Sequence, residues 1–445
     1  MHLNDNLRRV VTSPITEAYG WVEGRGVSSA TARGDASEED ATALLDVSQA
    51  VPGYPPPREL REHVAEMARR DDAHGYTEQL GLAALRQELA GRVSRLYDAA
   101  VPIDPGQVGI TAGCNQAFCL VVSALAAPGD EVVLPAPYYF NHDMWLRAQG
   151  VVPVYLPCDA AQQPRLELLP ELLGARTRAL VLVTPNNPTG AVYSEALLQR
   201  VFALCADAGI ALVVDETYRD FLPGGHREAR ADASATGAAA AVSSAPGPAA
   251  EAPHGLFRDP RWDRTLVQLY SFSKVYCLAG YRVGAIVGSP ALLEQVAKVM
   301  DCVAICPPRL AQEAALYGLR HLDSWVSSNR DEMAARLEAF HAALDAAPGG
   351  EAAGRWKIAG SGAYFAYVRH PWDGIDSRTA ARHLARRHRI LALAGGMFGP
   401  GQERYLRVAF ANLGRQRIDT LAQRLGSCAG DPPREVVEQP VQTSP

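Results

Sequence analysis

Long apolar runs are missing from this chain. No window among its 445 residues reaches the roughly 18 apolar residues that a membrane span needs, so no membrane partner is expected. The first ten residues, Met1 to Val10, are polar and lack the apolar core of an export signal, which points to a cytoplasmic protein. A strong charge of one sign is also absent. Lys and Arg number 43 against 49 Asp and Glu, and a net charge of -6 is too mild to imply a nucleic-acid partner. The eight cysteines (Cys114, Cys119, Cys158, Cys205, Cys277, Cys302, Cys306, Cys428) form no CxxC pair. They read as reduced thiols rather than a disulfide frame, and Cys302 and Cys306 lack neighbouring ligands, so no metal is expected. No strand is followed by GxGxxG, which argues against a dinucleotide fold. Large apolar residues are scarce over 226–253, an Ala/Ser/Gly/Pro stretch expected to be a disordered surface insertion. Lengthening a loop from about 10 to about 35 residues costs only on the order of 1 kcal/mol of closure entropy, which a fold can carry. The tail over 428–445 is expected to be disordered as well.

What is present is ordinary globular material: 48% hydrophobic and 21% charged residues, in a chain long enough to divide into two domains. Leu44 to Ser48 reads as a short strand, and Pro52 to Pro57 as an extended or turning segment. Leu60, Val64 and Met67 give a helix over about 58–70, and Leu82, Leu85, Leu89 and Val93 begin another. From about 107 strands alternate with helices. Apolar runs at 108–111, 131–135, 179–184, 210–214 and 266–270 predict a mainly parallel sheet covered on both faces. The chain reads as helical from 288 to about 345, with later strands at 363–368 and 406–410.

One stretch organises the rest: Ser271-Phe272-Ser273-Lys274, followed eight residues on by Arg282. A lysine amine at a strand end can form a Schiff base with an aldehyde, while the serines and the arginine can hold an anionic handle. The same residues could equally be a surface Lys and Arg in a Gly-punctuated loop. Their neighbours decide. Gly113, Asn187, Asp215 and Lys274 all fall just past the carboxyl ends of predicted strands, where open α/β sheets bind ligands. Gly113, between a strand and a helix, leaves free N–H groups for an anion.

Thr184-Pro185-Asn186-Asn187-Pro188-Thr189-Gly190, Asp215-Glu216-Thr217-Tyr218, Ser271-Phe272-Ser273-Lys274 and Arg282 come in this order. Together they resemble the class I/II aminotransferases of the fold-type I, aspartate-aminotransferase-like, pyridoxal-phosphate enzymes, over about residues 45–425. The resemblance implies an α/β fold: a large domain with a mostly parallel sheet between helices, over 56–309, and a smaller α+β domain from 1–55 and 310–427. It implies pyridoxal 5'-phosphate as cofactor and ping-pong transfer of an amino group between an L-amino acid and a 2-oxo acid. By it Lys274 forms the Schiff base and moves the proton, Asp215 pairs with the pyridine nitrogen, and Asn187 and Tyr218 bond the phenolic oxygen. Ser271, Ser273 and Arg282 would hold the phosphate from one side, and the Gly113-Cys114-Asn115 turn from the other. Cys114 departs from the family's small or hydroxyl residues, so only its N–H counts there, and Ser273 could instead satisfy backbone groups. Tyr139 would stack on the ring, with Tyr138 and Phe140 as alternative registers, and His142 would either support Asp215 or be a core histidine. Arg407 would clamp the substrate carboxylate. Ala50 stands where relatives often carry glycine against the substrate. Tyr76 would reach the phosphate of a neighbouring subunit, which implies a homodimer with shared sites. None of Arg25, Arg309 and Arg320 can be assigned to the side-chain pocket. Two rivals remain: a lyase on the same fold, of carbon–sulfur or cyclopropane-forming type, and a cofactor-sensing regulator, for which the 45 leading residues are too few and not basic.

Overall fold

The computed structural model describes residues 1–22, 43–222, 252–347 and 356–433. Its strands are β1 (Leu45–Asp46), β2 (Val108–Thr111), β3 (Glu131–Ala136), β4 (Val152–Pro157), β5 (Thr177–Val183), β6 (Ala211–Asp215) and β7 (Leu266–Ser271). After them come β8 (Gly284–Val287), β9 (Lys357–Gly362), β10 (Phe365–Arg369), β11 (Ile390–Leu391), β12 (Leu393–Ala394) and β13 (Tyr405–Val408). Seven strands form the central sheet in the order β2-β8-β7-β6-β5-β3-β4. Every pairing in it is parallel except the two made by β8.

The continuous apolar runs become intelligible as strands covered on both faces. In β5 and β6, Leu180, Leu182, Leu212 and Val214 face one core, and Ala179, Val181 and Val213 face the other. This is the two-residue alternation of a pleated strand with no polar side to offer water. Helices cover both faces. That over Glu195–Ala208 is typical: the Ser194 side chain accepts from Leu197 N at its start, and Gly209 ends it at φ 66.

The smaller unit draws on both ends of the chain. Strands β12-β13-β10-β9 make an antiparallel sheet, and β1 pairs in parallel with β11. Ala18, Trp21 and Val22 share its core with Val408, Leu421 and Leu425. Where the PTG turn of the larger unit meets β9, no side chain intervenes. A Cβ built on Gly190 would lie 2.2 Å from Gly362 N, and Gly190 has φ +73.

Three expectations need correction. The helix Arg309–His321, assigned from sequence to the smaller unit, buries Ala311, Ala314, Ala315 and Leu319 in the core that also holds Leu60, Leu85 and Leu89. The following helix, Asp323–Ala346, then crosses over, with Val326 in that core and Phe340 and Leu344 in the smaller one. The division therefore falls within this helix, not at 309/310. Residues 428–433 are ordered: Cys428 ends a helix, and Cys428 and Ala429 are buried in the smaller core. Strands β4 and β8 escaped the sequence reading, the first being a partly exposed edge carrying Pro153 and Pro157, the second a four-residue run. The expected insertion at 226–253, but for its last two residues, and the tail beyond 433 lie outside the described residues.

Candidate active site

Because β2, β3, β5, β6 and β7 run the same way, their carboxyl ends share one edge of the sheet. The loops leaving them surround a cavity of about 500 Å³. Of the residues singled out from sequence, Ala50, Cys114, Asn115, Tyr139, Asn187, Asp215, Tyr218, Ser271, Ser273, Lys274, Arg282 and Arg407 line it.

Lys274 sits in the single helical turn Phe272–Val275 that follows β7, and its Nζ donates to the carbonyl oxygen of Ala50. The backbone at position 50 thus meets the lysine despite the alanine. Burial, then the charges of Arg407 and Arg282, lower the Lys274 pKa to about 8. Asp215 ends β6 and is buried; Thr217 donates to its Oδ1 from N at 3.0 Å and from Oγ1 at 2.7 Å. This turn fixes the carboxylate with Oδ2 left toward His142, whose Nε2 lies 3.6 Å away. His142 is buried, stacked on Phe118 at 4.0 Å, so it stands behind Asp215 and does not line the cavity.

Arg407 enters from β13 of the smaller unit. Its Nη1 donates to Asn187 Oδ1 at 3.0 Å and its Nη2 to the carbonyl oxygen of Ser48. Its Nε is buried without a hydrogen-bond partner among the described residues. Burial lowers this guanidinium to about 10. A buried cation with unused N–H groups facing a cavity is a site for a carboxylate.

A second anion corner lies across the cavity. Gly113, at φ 85, precedes the helix Cys114–Leu125, and a Cβ there would fall 2.3 Å from Arg282 Nη2, so only glycine lets the arginine come in. Arg282 itself is at φ 58, with Nη1 donating to Ala279 O at 2.9 Å. Ser271 Oγ accepts from Ser273 N at 3.2 Å. Helix N-terminus, two hydroxyls and a guanidinium converge. Tyr139 walls the cavity, its hydroxyl donating to Asn115 Oδ1 at 3.3 Å and pushed up to about 12 by burial. Burial also raises the Tyr218 hydroxyl above the tyrosine range.

Tyr76 is the one that stands apart. It is 78% exposed and does not line the cavity of its own chain. Arg309 pairs with Asp72 and Glu313, and Arg320 with Glu88; Arg25 lies outside the described residues. The sequence reading missed Ser13, Ile15 and Thr16, which reach the cavity from the N-terminal segment, and Thr217. Thr217 was findable as a hydroxyl two residues past an Asp, a turn pattern; the N-terminal residues carry no local signal.

The chain's sequence from residue 43 to 425 matches the family described as aminotransferase class I and II. An aromatic aminotransferase from Arabidopsis thaliana is 28% identical over 396 residues, covering 87% of this chain and 90% of the relative. An arginine–pyruvate transaminase from Pseudomonas aeruginosa is 28% identical, covering 88% and 92%. Among solved structures, an aspartate aminotransferase from Rhizobium meliloti superposes with a TM-score of 0.79 at 17% identity, over 96% of this chain and 99% of that one. That identity speaks for the fold alone. The family match spans both units and every strand end around the cavity, so the chain belongs to the class I and II aminotransferases.

Proposed function

We propose that the cavity binds pyridoxal 5'-phosphate and that this aminotransferase moves the amino group of an L-amino acid with an uncharged side chain to a 2-oxo acid. The convergence of the Lys274 amine and the Arg407 guanidinium on one cavity, from opposite units, carries this reading.

The donor set fits the cofactor. The phosphate suits the corner of Ser271, Ser273, Arg282 and the backbone at Gly113, Cys114 and Asn115; the ring nitrogen suits Asp215; the ring face suits Tyr139; the phenolic oxygen suits Asn187 and Tyr218. When bound, pyridoxal phosphate supplies an aldehyde that condenses with amines and a ring that accepts the electrons of a broken Cα–H bond. Arg407 orients the substrate by its carboxylate. With the cofactor bound, Lys274 Nζ, its pKa lowered to about 8, would be the base that takes the proton from the substrate Cα and the acid that gives it back. Asp215 would keep the ring nitrogen of a bound cofactor protonated, since a nearby anion favours the charged form. Ile15, Val51 and Phe140 also line the cavity and favour an aliphatic or aromatic side chain; a relative's name, aromatic aminotransferase, points the same way. We further propose a cytoplasmic homodimer in which Tyr76 completes the partner's phosphate site. Exposed Tyr76, Val303 and Ile305 support it, the loop being tied to 301–306 by Thr77 N to Cys306 Sγ at 3.4 Å and Gln79 Nε2 to Asp301 Oδ1 at 2.9 Å.

Absorbance spectra of the purified enzyme test the reaction. The cofactor band should bleach with phenylalanine, tyrosine or leucine and return with a 2-oxo acid, with kcat/KM at least about 10-fold above that for aspartate. A band that no amino acid bleaches, with pyruvate or ammonia accumulating, would refute transamination; a preference for aspartate would refute the side-chain assignment alone.

A further inference from the structure

Two imidazoles and a carboxylate meet in the smaller unit, away from the cavity. His383 lies on the helix Ser377–Arg387, His388 is the residue that caps its C-terminal end, and Asp431 follows the helix Arg415–Cys428 by three residues. None of them lines the cavity. His383 Nε2 and His388 Nε2 face each other at 3.2 Å. Asp431 Oδ2 lies 3.3 Å from His388 Nε2 and 3.6 Å from His383 Nε2. The carbonyl oxygen of Asp431 lies 2.9 Å from His383 Nε2. The imidazoles are mostly covered, with 12% and 18% of their side chains exposed, whereas the carboxylate is open at 43%.

These separations have a simple reading. Zinc binds imidazole nitrogen and carboxylate oxygen at roughly 2.0–2.1 Å in a tetrahedron, whose edges are then about 3.3–3.4 Å. The three measured edges, 3.2, 3.3 and 3.6 Å, straddle that value. One point lies roughly 2.0–2.1 Å from all three atoms, displaced from their plane as a tetrahedral centre is. The Asp431 carbonyl oxygen, within reach of the His383 ring nitrogen, is a further oxygen at this corner. Hydrogen bonding alone serves this group less well: two facing ring nitrogens can share one proton at most, and the carboxylate only accepts. A cation satisfies all three lone pairs at once. The edge of Trp372 packs against the His383 ring at 5.5 Å and 89°, helping to fix its plane.

We propose that His383, His388 and Asp431 form a binding site for a divalent transition-metal cation of the zinc class, which fastens the chain beyond Cys428 to the helix Ser377–Arg387. The site is structural and independent of transamination.

The holoenzyme, stripped with a chelator and dialysed, is titrated with ZnCl2 by calorimetry and its thermal midpoint followed. The expected result is one equivalent per chain at micromolar zinc, with a rise in thermal midpoint. His388→Ala should abolish both responses while keeping transaminase activity, which reports that the variant folds. Asp431→Asn, at the exposed end, should weaken binding about 10- to 100-fold. Failure to saturate below millimolar zinc would overturn the proposal. So would binding equal to wild type in both variants, since the ion would then sit elsewhere, on the cofactor for instance.

Discussion

Lys274 is one of only three lysines in the chain, and the other two, Lys298 and Lys357, are exposed. Its environment disfavours the ammonium form: burial first, then two guanidinium charges. The pKa therefore falls, and the free amine dominates above pH 8. The rate at which apoprotein takes up pyridoxal phosphate should rise roughly fivefold between pH 7 and pH 8 and then level off, where an ordinary lysine of pKa about 10.4 would keep gaining. Stopped-flow absorbance across pH reads this, and Arg407→Leu, which removes one of the like charges, should move the inflection to higher pH. Arg407→Lys keeps the charge but loses the planar fork. A charge-assisted hydrogen bond contributes about 1.5–3 kcal/mol, so kcat/KM for amino acids should drop roughly 10- to 150-fold while cofactor uptake persists. Most of these residues were legible because each sits in a short motif at a strand end. The contacts of Ala50 and Arg407 were not, since each joins positions more than 200 residues apart.

At the scale of elements, the turn after β6 divides its side chains between the cavity and the core. Asp215, Thr217 and Tyr218 line the cavity, whereas Glu216 points back into the core. There it accepts from Tyr97 Oη at 2.7 Å and from Gln268 Nε2, with His254 Nε2 at 3.4 Å. Arg219 donates to the same tyrosine oxygen at 3.1 Å and lies over the Tyr270 ring at 3.8 Å. Burial works against the Glu216 carboxylate, but His254, Arg219 and Tyr97 outweigh it and hold its pKa below the usual range. A depressed carboxylate contributes stability that is present at neutral pH and lost as acid protonates it. Glu216→Ala, which removes the acceptor of Tyr97 and Gln268 and the carboxylate facing His254, should lower the unfolding free energy by about 3–5 kcal/mol in urea titrations. Glu216→Gln should cost less. The sequence put Glu216 inside a recognised motif without a role, because its partners Tyr97 and His254 come from distant segments. The strands themselves were legible wherever both faces are apolar, and lost at the edge and in the short antiparallel β8.

For the whole molecule, the two-unit plan was visible in the return of strand patterns after 360, but the crossing point was not. A helix with apolar residues along its length looks alike whichever core receives it, so Arg309–His321 could not be assigned without its neighbours. Subunit pairing is likewise a property no single stretch contains. Light scattering of the holoenzyme should return twice the 47.8 kDa of one chain. Tyr76→Phe should leave that mass unchanged yet weaken cofactor retention about 10-fold, the worth of one hydrogen bond. A monomer that transaminates at full rate would remove the shared-site proposal. Within one subunit, Arg407 joins three parts of the chain: its own strand in the smaller unit, Asn187 of the larger one, and the backbone of Ser48 near the beginning. An arginine side chain carries about 2 kcal/mol of rotamer entropy, and here that freedom is surrendered while the protein folds, not when a substrate arrives. If Arg407 holds the substrate carboxylate as proposed, each turnover would begin with that berth already formed, and amino acids would compete through what their side chains find at the other end of the cavity.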